Sequence, residues 1–388
     1  MDKRNIRLGG IIQGQEELDA ITRVFNTKPV WNVSGPECDA FQKELCDYLD
    51  VKYCALVNSG SSANLLALSA LNLPKNSYIL TSACGFPSAL NCIIQLGYHP
   101  ILVDYDLNTL NMDLNQVEET LKIYNNYPEK YRIKAIIAVH TLGIPLDMDK
   151  LIDLCTKYNI QLLEDSCESI GAEYKKKKVG SFGKIGTYSF YSSHQINANG
   201  MGGCLVTNDQ DIYTTIVSQR DWGKKFARPG YICTKMDTMV DGIPYDQQYS
   251  YETIGYNFRM PDSNAAYGRV QLQRLPSFIK TRNENYTYLK KLLLDSSLPL
   301  RYPSIPEHAV CCHFGFPLVL TKDGIRDKFV EYLENNGIHV RLFFASNILR
   351  HKAYKNLKYD SLYTNFETAD YLMRNALFCG VWPGLTLE

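Results

Sequence analysis

From about residue 50 to 210 the chain alternates short apolar runs with stretches of helical period, the pattern of strand-helix-strand units on a mostly parallel sheet. The runs at 54–57, 78–81, 100–104, 135–139, 161–164, 187–190 and 204–207 predict strands, most of them bounded by polar or glycine-containing turns. Open α/β sheets bind ligands beyond the carboxyl ends of their strands, so motifs placed there carry the most weight. Residues 221–255, rich in Gly, Pro, Tyr and Asp, lack clear periodicity and predict a long loop, functional or part of an interface. After it, 265–275 and 282–294 predict two helices that lead into a smaller α+β unit. The expected division is an N-terminal segment over 1–30, a large domain over 31–260 and a small domain over 261–388.

The 388-residue length suits such a two-part enzyme. With 41 basic and 41 acidic residues the formal charge is zero, so no global field steers the chain to nucleic acid or an anionic membrane. A charged metabolite needs only a local basic patch. Twelve cysteines scattered without a CxxC pair point to reduced thiols rather than a disulfide framework. The charged start, Met1-Asp2-Lys3-Arg4, and the lack of any apolar run near ~18 residues lead to the expectation of a soluble, cytoplasmic protein.

Three segments hold candidate chemistry. Asn58-Ser59-Gly60-Ser61-Ser62 follows a predicted strand and opens a predicted helix, where backbone amides and hydroxyls make a phosphate site or simply a serine-rich helix cap. Glu164-Asp165-Ser166-Cys167-Glu168 follows an apolar strand, and Asp165 is suited either to keep a cofactor ring nitrogen protonated or to cap the next helix. Gly186-Thr187-Tyr188-Ser189-Phe190-Tyr191 leads to His194 and then to Gly200, Gly202 and Gly203. Ser189 can donate to a phosphate, and His194 either transfers protons near neutrality or is structural.

In this order and spacing the segments resemble the DegT/DnrJ/EryC1/StrS family of pyridoxal-phosphate enzymes, mostly sugar aminotransferases. The resemblance extends to Gly255-Tyr256-Asn257-Phe258-Arg259-Met260 and Ala265-Ala266-Tyr267-Gly268, and covers nearly the whole chain. It implies the aspartate aminotransferase-like fold, PLP fold type I. It also implies that Gly60, Ser61 and Ser189 bind the cofactor phosphate, that Asp165 pairs with the pyridine nitrogen and that Phe86 stacks on the ring. Asn257 is implied to reach the phosphate in the other subunit of a homodimer with shared active sites.

Two residues depart from the aminotransferase pattern. His194 stands where the family carries the lysine that holds its cofactor, and Glu168 stands where glutamine is usual near the cofactor hydroxyl. Both agree with a 3-dehydratase branch acting on GDP- and CDP-linked 4-keto-6-deoxy sugars. The wording of Arg220-Asp221-Trp222-Gly223, of Arg341-Leu342-Phe343-Phe344-Ala345 and of Gly380-Val381-Trp382-Pro383-Gly384 is closest to the CDP-sugar members. Those members bind a [2Fe-2S] cluster through cysteines after the first of these segments, whereas here the stretch 224–235 holds only Cys233.

The expectation is therefore a cluster-free, pyridoxal/pyridoxamine phosphate-dependent C3 dehydratase with no metal. His194 serves as acid and base, glutamate is the amino donor, and Arg341, Trp222, Arg220 and, less directly, Arg350 are candidate substrate contacts. Two alternatives stand beside it: a sugar aminotransferase whose lysine was replaced by engineering, and a non-catalytic cofactor-binding regulatory subunit.

Overall fold

The computed structural model describes residues 5–30, 32–225, 238–246 and 249–387. Its centre is a seven-stranded sheet built from β1 (Tyr53–Val57), β2 (Tyr78–Ser82), β3 (His99–Val103), β4 (Ile133–Val139), β5 (Gln161–Asp165), β6 (Ile185–Ser189) and β7 (Gly203–Thr207). The order is β1-β7-β6-β5-β4-β2-β3, and only β7 runs against its neighbours. Every apolar run singled out above is one of these strands. They are legible because both faces of the sheet are covered, so almost every strand position must be apolar.

The covering helices are α1 (Gln15–Asn26), α2 (Pro36–Leu49), α3 (Gly60–Ala70), α4 (Ser88–Gln95), α5 (Leu114–Tyr124), α6 (Met148–Tyr158) and α7 (Gln210–Arg220). One core joins α3 and α4 to the sheet through Leu66, Leu90, Ile137 and Leu205. A second joins α5 and α6 through Val117, Leu121, Leu151 and Ile136. The carboxyl ends of the parallel strands are thereby held in one rigid row.

Two expectations change. The predicted pair of helices is one helix, α8 (Asp262–Leu294), 33 residues long with Pro276 inside it. A proline there removes one backbone donor. The helix continues because it is anchored on both sides: Ala265, Leu272 and Leu275 enter the core beside α2, and Tyr286 enters the core of a second sheet. The loop over 221–255 also contains structure, a hairpin of β8 (Thr238–Val240) and β9 (Ile243–Tyr245). Its two-residue turn is Asp241-Gly242, both at positive φ (50° and 79°), which suits the twist of a tight hairpin.

The second sheet is antiparallel, made of β10 (Leu300–Arg301), β11 (Gly315–Leu320), β12 (Val340–Leu342) and β13 (Ala376–Gly380) in the order β10-β11-β13-β12. After β12 the chain returns to the large sheet. Ala345 N–H donates to the Gly85 carbonyl at 3.2 Å and Ile348 N–H to that of Ala83 at 3.0 Å, which sets residues 345–348 beside the loop after β2. No helix among the described residues is long and apolar enough to cross a membrane.

Candidate active site

The three segments singled out in the sequence meet at the carboxyl ends of β1, β5 and β6. Gly60 opens α3 so close to them that a Cβ there would lie 2.7 Å from Ser189 Cβ and 2.8 Å from Cys167 Sγ. Gly203 plays the matching part from β7, where a Cβ would stand 2.6 Å from the Ser59 carbonyl carbon. Ser59 caps α3, its hydroxyl accepting from Ser62 N–H at 3.1 Å. That leaves the amides of Gly60 and exposed Ser61 at the positive end of the helix, beside the Ser189 hydroxyl. Such a cradle suits a phosphate.

Asp165 ends β5, and its carboxylate is fixed on both oxygens. Asn64 Nδ2 donates to Oδ2 at 2.7 Å, and Cys167 N–H donates to Oδ1 at 3.1 Å. Asn64 is held in turn by Thr187 Oγ1, which donates to its Oδ1 at 2.6 Å. Thr187 sits opposite Asp165 in the β5–β6 register. Neither Asn64 nor Thr187 was a sequence candidate; the only signal was a polar residue, Asn64, in the apolar face of α3, where it is 3% exposed.

Behind Asp165 lies a fully buried pair, His140 and Glu164. Leu146 N–H donates to His140 Nδ1 at 3.2 Å, so the ring proton is on Nε2, which donates to Glu164 Oε2 at 3.2 Å. Gly180 and Gly183 donate their amides to the same carboxylate at 2.7 and 2.5 Å. His140 N–H also holds the Asp165 carbonyl at 3.1 Å, so this network buttresses the strand tip.

Glu168 lies beyond the tip, where Leu142 N–H donates to its Oε2 at 2.9 Å. Leu142 and Gly143 turn through positive φ (54° and 77°) to aim that amide. Burial nevertheless dominates, with a smaller push from Asp165, and raises the Glu168 carboxyl to about 8. At neutral pH it therefore holds its proton and can donate a hydrogen bond.

His194 stands in the turn after β6, its amide donating to the Tyr191 carbonyl at 3.0 Å. The imidazole is flanked by Phe314, with ring centroids 5.2 Å apart, and by Tyr191 at 6.1 Å. Burial draws its pKa down to about 4, the Cys167 carbonyl opposes this and Arg282 adds to it, so the ring is neutral at pH 7. The next residue, Gln195, ties this turn to the Glu168 carbonyl and, at 3.0 Å, to that of Cys312. Lys184 immediately precedes β6, at the opposite end from Ser189, and its ammonium pairs with Asp209 at 2.7 Å.

Phe86 follows the turn at Gly85 and is 59% exposed, a ring face presented rather than packed. Trp222 is partly exposed at positive φ, with the Arg259 guanidinium 4.5 Å from its ring centroid. Asn257 is exposed on a segment pinned by Asn58 N–H, which donates to the Phe258 carbonyl at 2.8 Å. Arg341 is exposed on β12.

Arg220 does not fit the expected substrate contact. It is 4% exposed, its Nε donating to Asp221 at 3.0 Å and its Nη1 to the Leu56 carbonyl at 3.1 Å, so it fastens α7 to β1. Arg350 likewise has a structural partner, donating through Nε to Asp370 at 2.9 Å. Eleven cysteines lie among the described residues and all are unpaired; no cluster of metal ligands occurs among those residues, and Cys233 lies outside them.

The residues match proteins of known class. The chain is 35% identical over 374 residues to the lipopolysaccharide biosynthesis protein RfbH of Salmonella typhimurium, covering 92% of this chain and 83% of that one. It is 33% identical over 391 residues to the dTDP-4-dehydro-2,6-dideoxy-D-glucose 3-dehydratase of Saccharopolyspora spinosa, covering 96% and 81%. Its fold superimposes with a TM-score of 0.86 on a GDP-4-keto-6-deoxymannose-3-dehydratase solved with a trapped PLP-glutamate geminal diamine, at 30% identity and covering 99% and 97% of the two chains. Residues 12–388 match one family throughout, and on that evidence the chain belongs to the DegT/DnrJ/EryC1/StrS aminotransferase family.

Proposed function

We propose that this chain is a pyridoxal/pyridoxamine phosphate-dependent dehydratase that removes the C3 hydroxyl of a nucleotide-linked 4-keto-6-deoxy sugar, with glutamate as amino donor. The observation that carries the reading is His194: a neutral imidazole near the Cys167 carbonyl, in the turn after β6 that Gln195 ties to Glu168, at the position where the family resemblance implies a lysine amine. The relatives described above include two 3-dehydratases, one of them trapped with glutamate on the cofactor.

The residues present fit the cofactor. The amides of Gly60 and Ser61 and the Ser189 hydroxyl would take the phosphate, brought together because residue 60 has no Cβ to meet Ser189 and Cys167. The fixed Asp165 carboxylate takes the ring nitrogen, the protonated Glu168 donates to the ring oxygen, and Phe86 covers one ring face. When bound, pyridoxamine phosphate supplies an amine for the sugar ketone and a ring able to store an electron pair. His194, neutral at working pH, takes a proton at its free ring nitrogen and returns it to the departing C3 hydroxyl.

The substrate-level balance needs no external reductase. Glutamate and the 4-keto sugar give 2-oxoglutarate, ammonia and the 3-deoxy-4-keto sugar; the C3 oxygen leaves as water, one water is taken up in forming the oxoacid and freeing ammonia, and the two electrons come from the glutamate C–N carbon. Arg341 and Trp222 are the remaining candidates for sugar or diphosphate contact.

The working unit in this reading is a homodimer, with Asn257 offered to the phosphate of the neighbouring subunit. Exposed apolar side chains on the same excursion, Ile254 at 93% and Ile243 at 63%, support a partner surface there. In the division of the chain, residues 31–260 form the cofactor-binding domain and 261–388 the small domain that closes the substrate side.

Incubating purified protein with glutamate, cofactor and a panel of GDP-, CDP-, dTDP- and UDP-linked 4-keto-6-deoxy sugars tests the reading by mass spectrometry. Ammonia released with a 3-deoxy product is expected. A stoichiometric amino sugar would instead make the chain an aminotransferase.

A further inference from the structure

Three buried polar atoms around one small cavity have no hydrogen-bond partner: His194 Nδ1, Gln195 Oε1 and Arg282 Nε. The cavity is lined by His194, Gln195 and Arg282 and has room for about one water. Gln195 and Arg282 are each 2% exposed. Their other polar atoms are occupied. Gln195 Nε2 holds the carbonyls of Glu168 and Cys312, and Arg282 donates from Nη1 to the carbonyls of His313 at 3.3 Å and Phe314 at 3.1 Å and from Nη2 to that of His194 at 3.4 Å.

The other two amides lining the cavity are also satisfied. Asn197 Nδ2 donates to Gln271 Oε1 at 3.3 Å and its Oδ1 accepts from Gly200 N–H at 3.2 Å, while Gln271 Nε2 donates to the Ile12 carbonyl at 2.8 Å. What remains is a donor on Arg282, an acceptor on Gln195 and an imidazole nitrogen able to be either. Leaving three such groups buried without a partner is costly. A single water has the donors and the acceptor sites that these three groups lack.

We propose that a single bound water bridges His194 Nδ1–H, Arg282 Nε–H and Gln195 Oε1, accepting from the first two and donating to the third. Arg282 and Gln195 are then positioning residues that act on His194 through this water. The bridge keeps the proton on Nδ1, in competition with the Cys167 carbonyl beside the imidazole, and leaves the lone pair on Nε2 for proton transfer. An anion is disfavoured, because the Gln195 carbonyl oxygen would repel it. The choice of tautomer rests on the proposed role of His194 as a base; the water site rests on the cavity and its three atoms alone.

A crystal structure resolving waters, together with ring-¹⁵N NMR of histidine-labelled protein, tests this without turnover. One ordered water within hydrogen-bond reach of all three atoms and a protonated Nδ1 are expected. A dry cavity, a chloride in it, Nδ1–H bonded directly to the Cys167 carbonyl, or an Nε2–H tautomer would each overturn the inference.

Arg282→Lys keeps the cation and removes the Nε donor. The share of Nδ1–H should then fall, and solvent-deuterium exchange into the methylene of bound pyridoxamine phosphate should slow about tenfold at unchanged cofactor affinity. A purely structural arginine would change melting temperature and leave the tautomer alone. If this variant fails to fold, the wild-type measurements decide the question. A bridged water in a protein that dehydrates no sugar would refute the proposed function and leave the water site standing.

Discussion

Asn64 Nδ2 donates to Asp165 Oδ2 at 2.7 Å, tying the start of α3 to the tip of a strand 101 residues further along the chain. In the proposed reading the contact orients the carboxylate that would meet a cofactor ring nitrogen, and it links the two halves of the site, since α3 also carries the proposed phosphate cradle.

Replacing Asn64 with Ala leaves the carboxylate only the Cys167 amide. A hydrogen bond to a charged group contributes about 1.5–3 kcal/mol, so affinity for pyridoxal phosphate should fall by roughly 10- to 100-fold. Fluorescence titration reads this directly. Wild-type affinity in the variant would remove Asn64 from the site's support.

Gly60→Ala tests the cradle by sterics alone, since Ser189 Cβ and Cys167 Sγ lie within 2.8 Å of the new methyl group. The variant should fold, with the secondary structure of the parent, and bind cofactor at least about tenfold more weakly, the loss of roughly one good hydrogen bond to phosphate. Equal binding by equilibrium dialysis would place the phosphate elsewhere.

His194→Lys puts an amine where the relatives' pattern expects one. Borohydride should then trap pyridoxal phosphate covalently on residue 194, detected by peptide mass spectrometry, and dehydration should fall by at least about 100-fold with the loss of acid-base transfer. No trapped adduct would mean that residue 194 does not face the cofactor.

Two partly buried residues impose opposite pH dependences on stability. Glu168 has a folded-state pKa raised from 4.5 to about 8, so the unfolded chain holds fewer protons between those values and stability falls as pH rises through that window. His194 is depressed from 6.5 to about 4, so its contribution is complete above 6.5 and is lost as pH falls towards 4. Denaturant melts of Glu168→Gln across pH 5 to 8 should therefore lose less stability with rising pH than the parent. Parallel curves would show that the Glu168 carboxyl is ionised in the fold.

Ile254→Asp probes the proposed dimer. A carboxylate on this 93% exposed position should shift the species seen by analytical ultracentrifugation towards monomer. It should also lower activity, as sites sharing Asn257 come apart. A variant with unchanged mass and activity would put the interface on another face.

Much of the architecture is legible before any folding because the strands of a doubly covered sheet must be apolar at nearly every position. The run 135–139, Ala-Ile-Ile-Ala-Val, for instance, is recognisable without knowing its neighbours. The chemistry at strand ends is partly legible for a related reason: Gly60, Asp165 and Ser189 each follow such a run, and fold topology sends those ends to one place. The hairpin at 238–245 was obscured by its short strands, although Asp241-Gly242 marks its turn.

The sequence by itself determined the order of the strands' apolar runs, the identity of the residue at position 194 and the three segments that meet around it. Tertiary structure alone decided that Arg220 faces Asp221 and Leu56 inside the protein, that α8 runs unbroken past Pro276, and that Asn64 aligns Asp165. It also decided that burial raises the Glu168 carboxyl and lowers the His194 imidazole. These depend on which distant groups come within hydrogen-bond reach and on how much water is excluded, quantities that residue order encodes only through the completed fold.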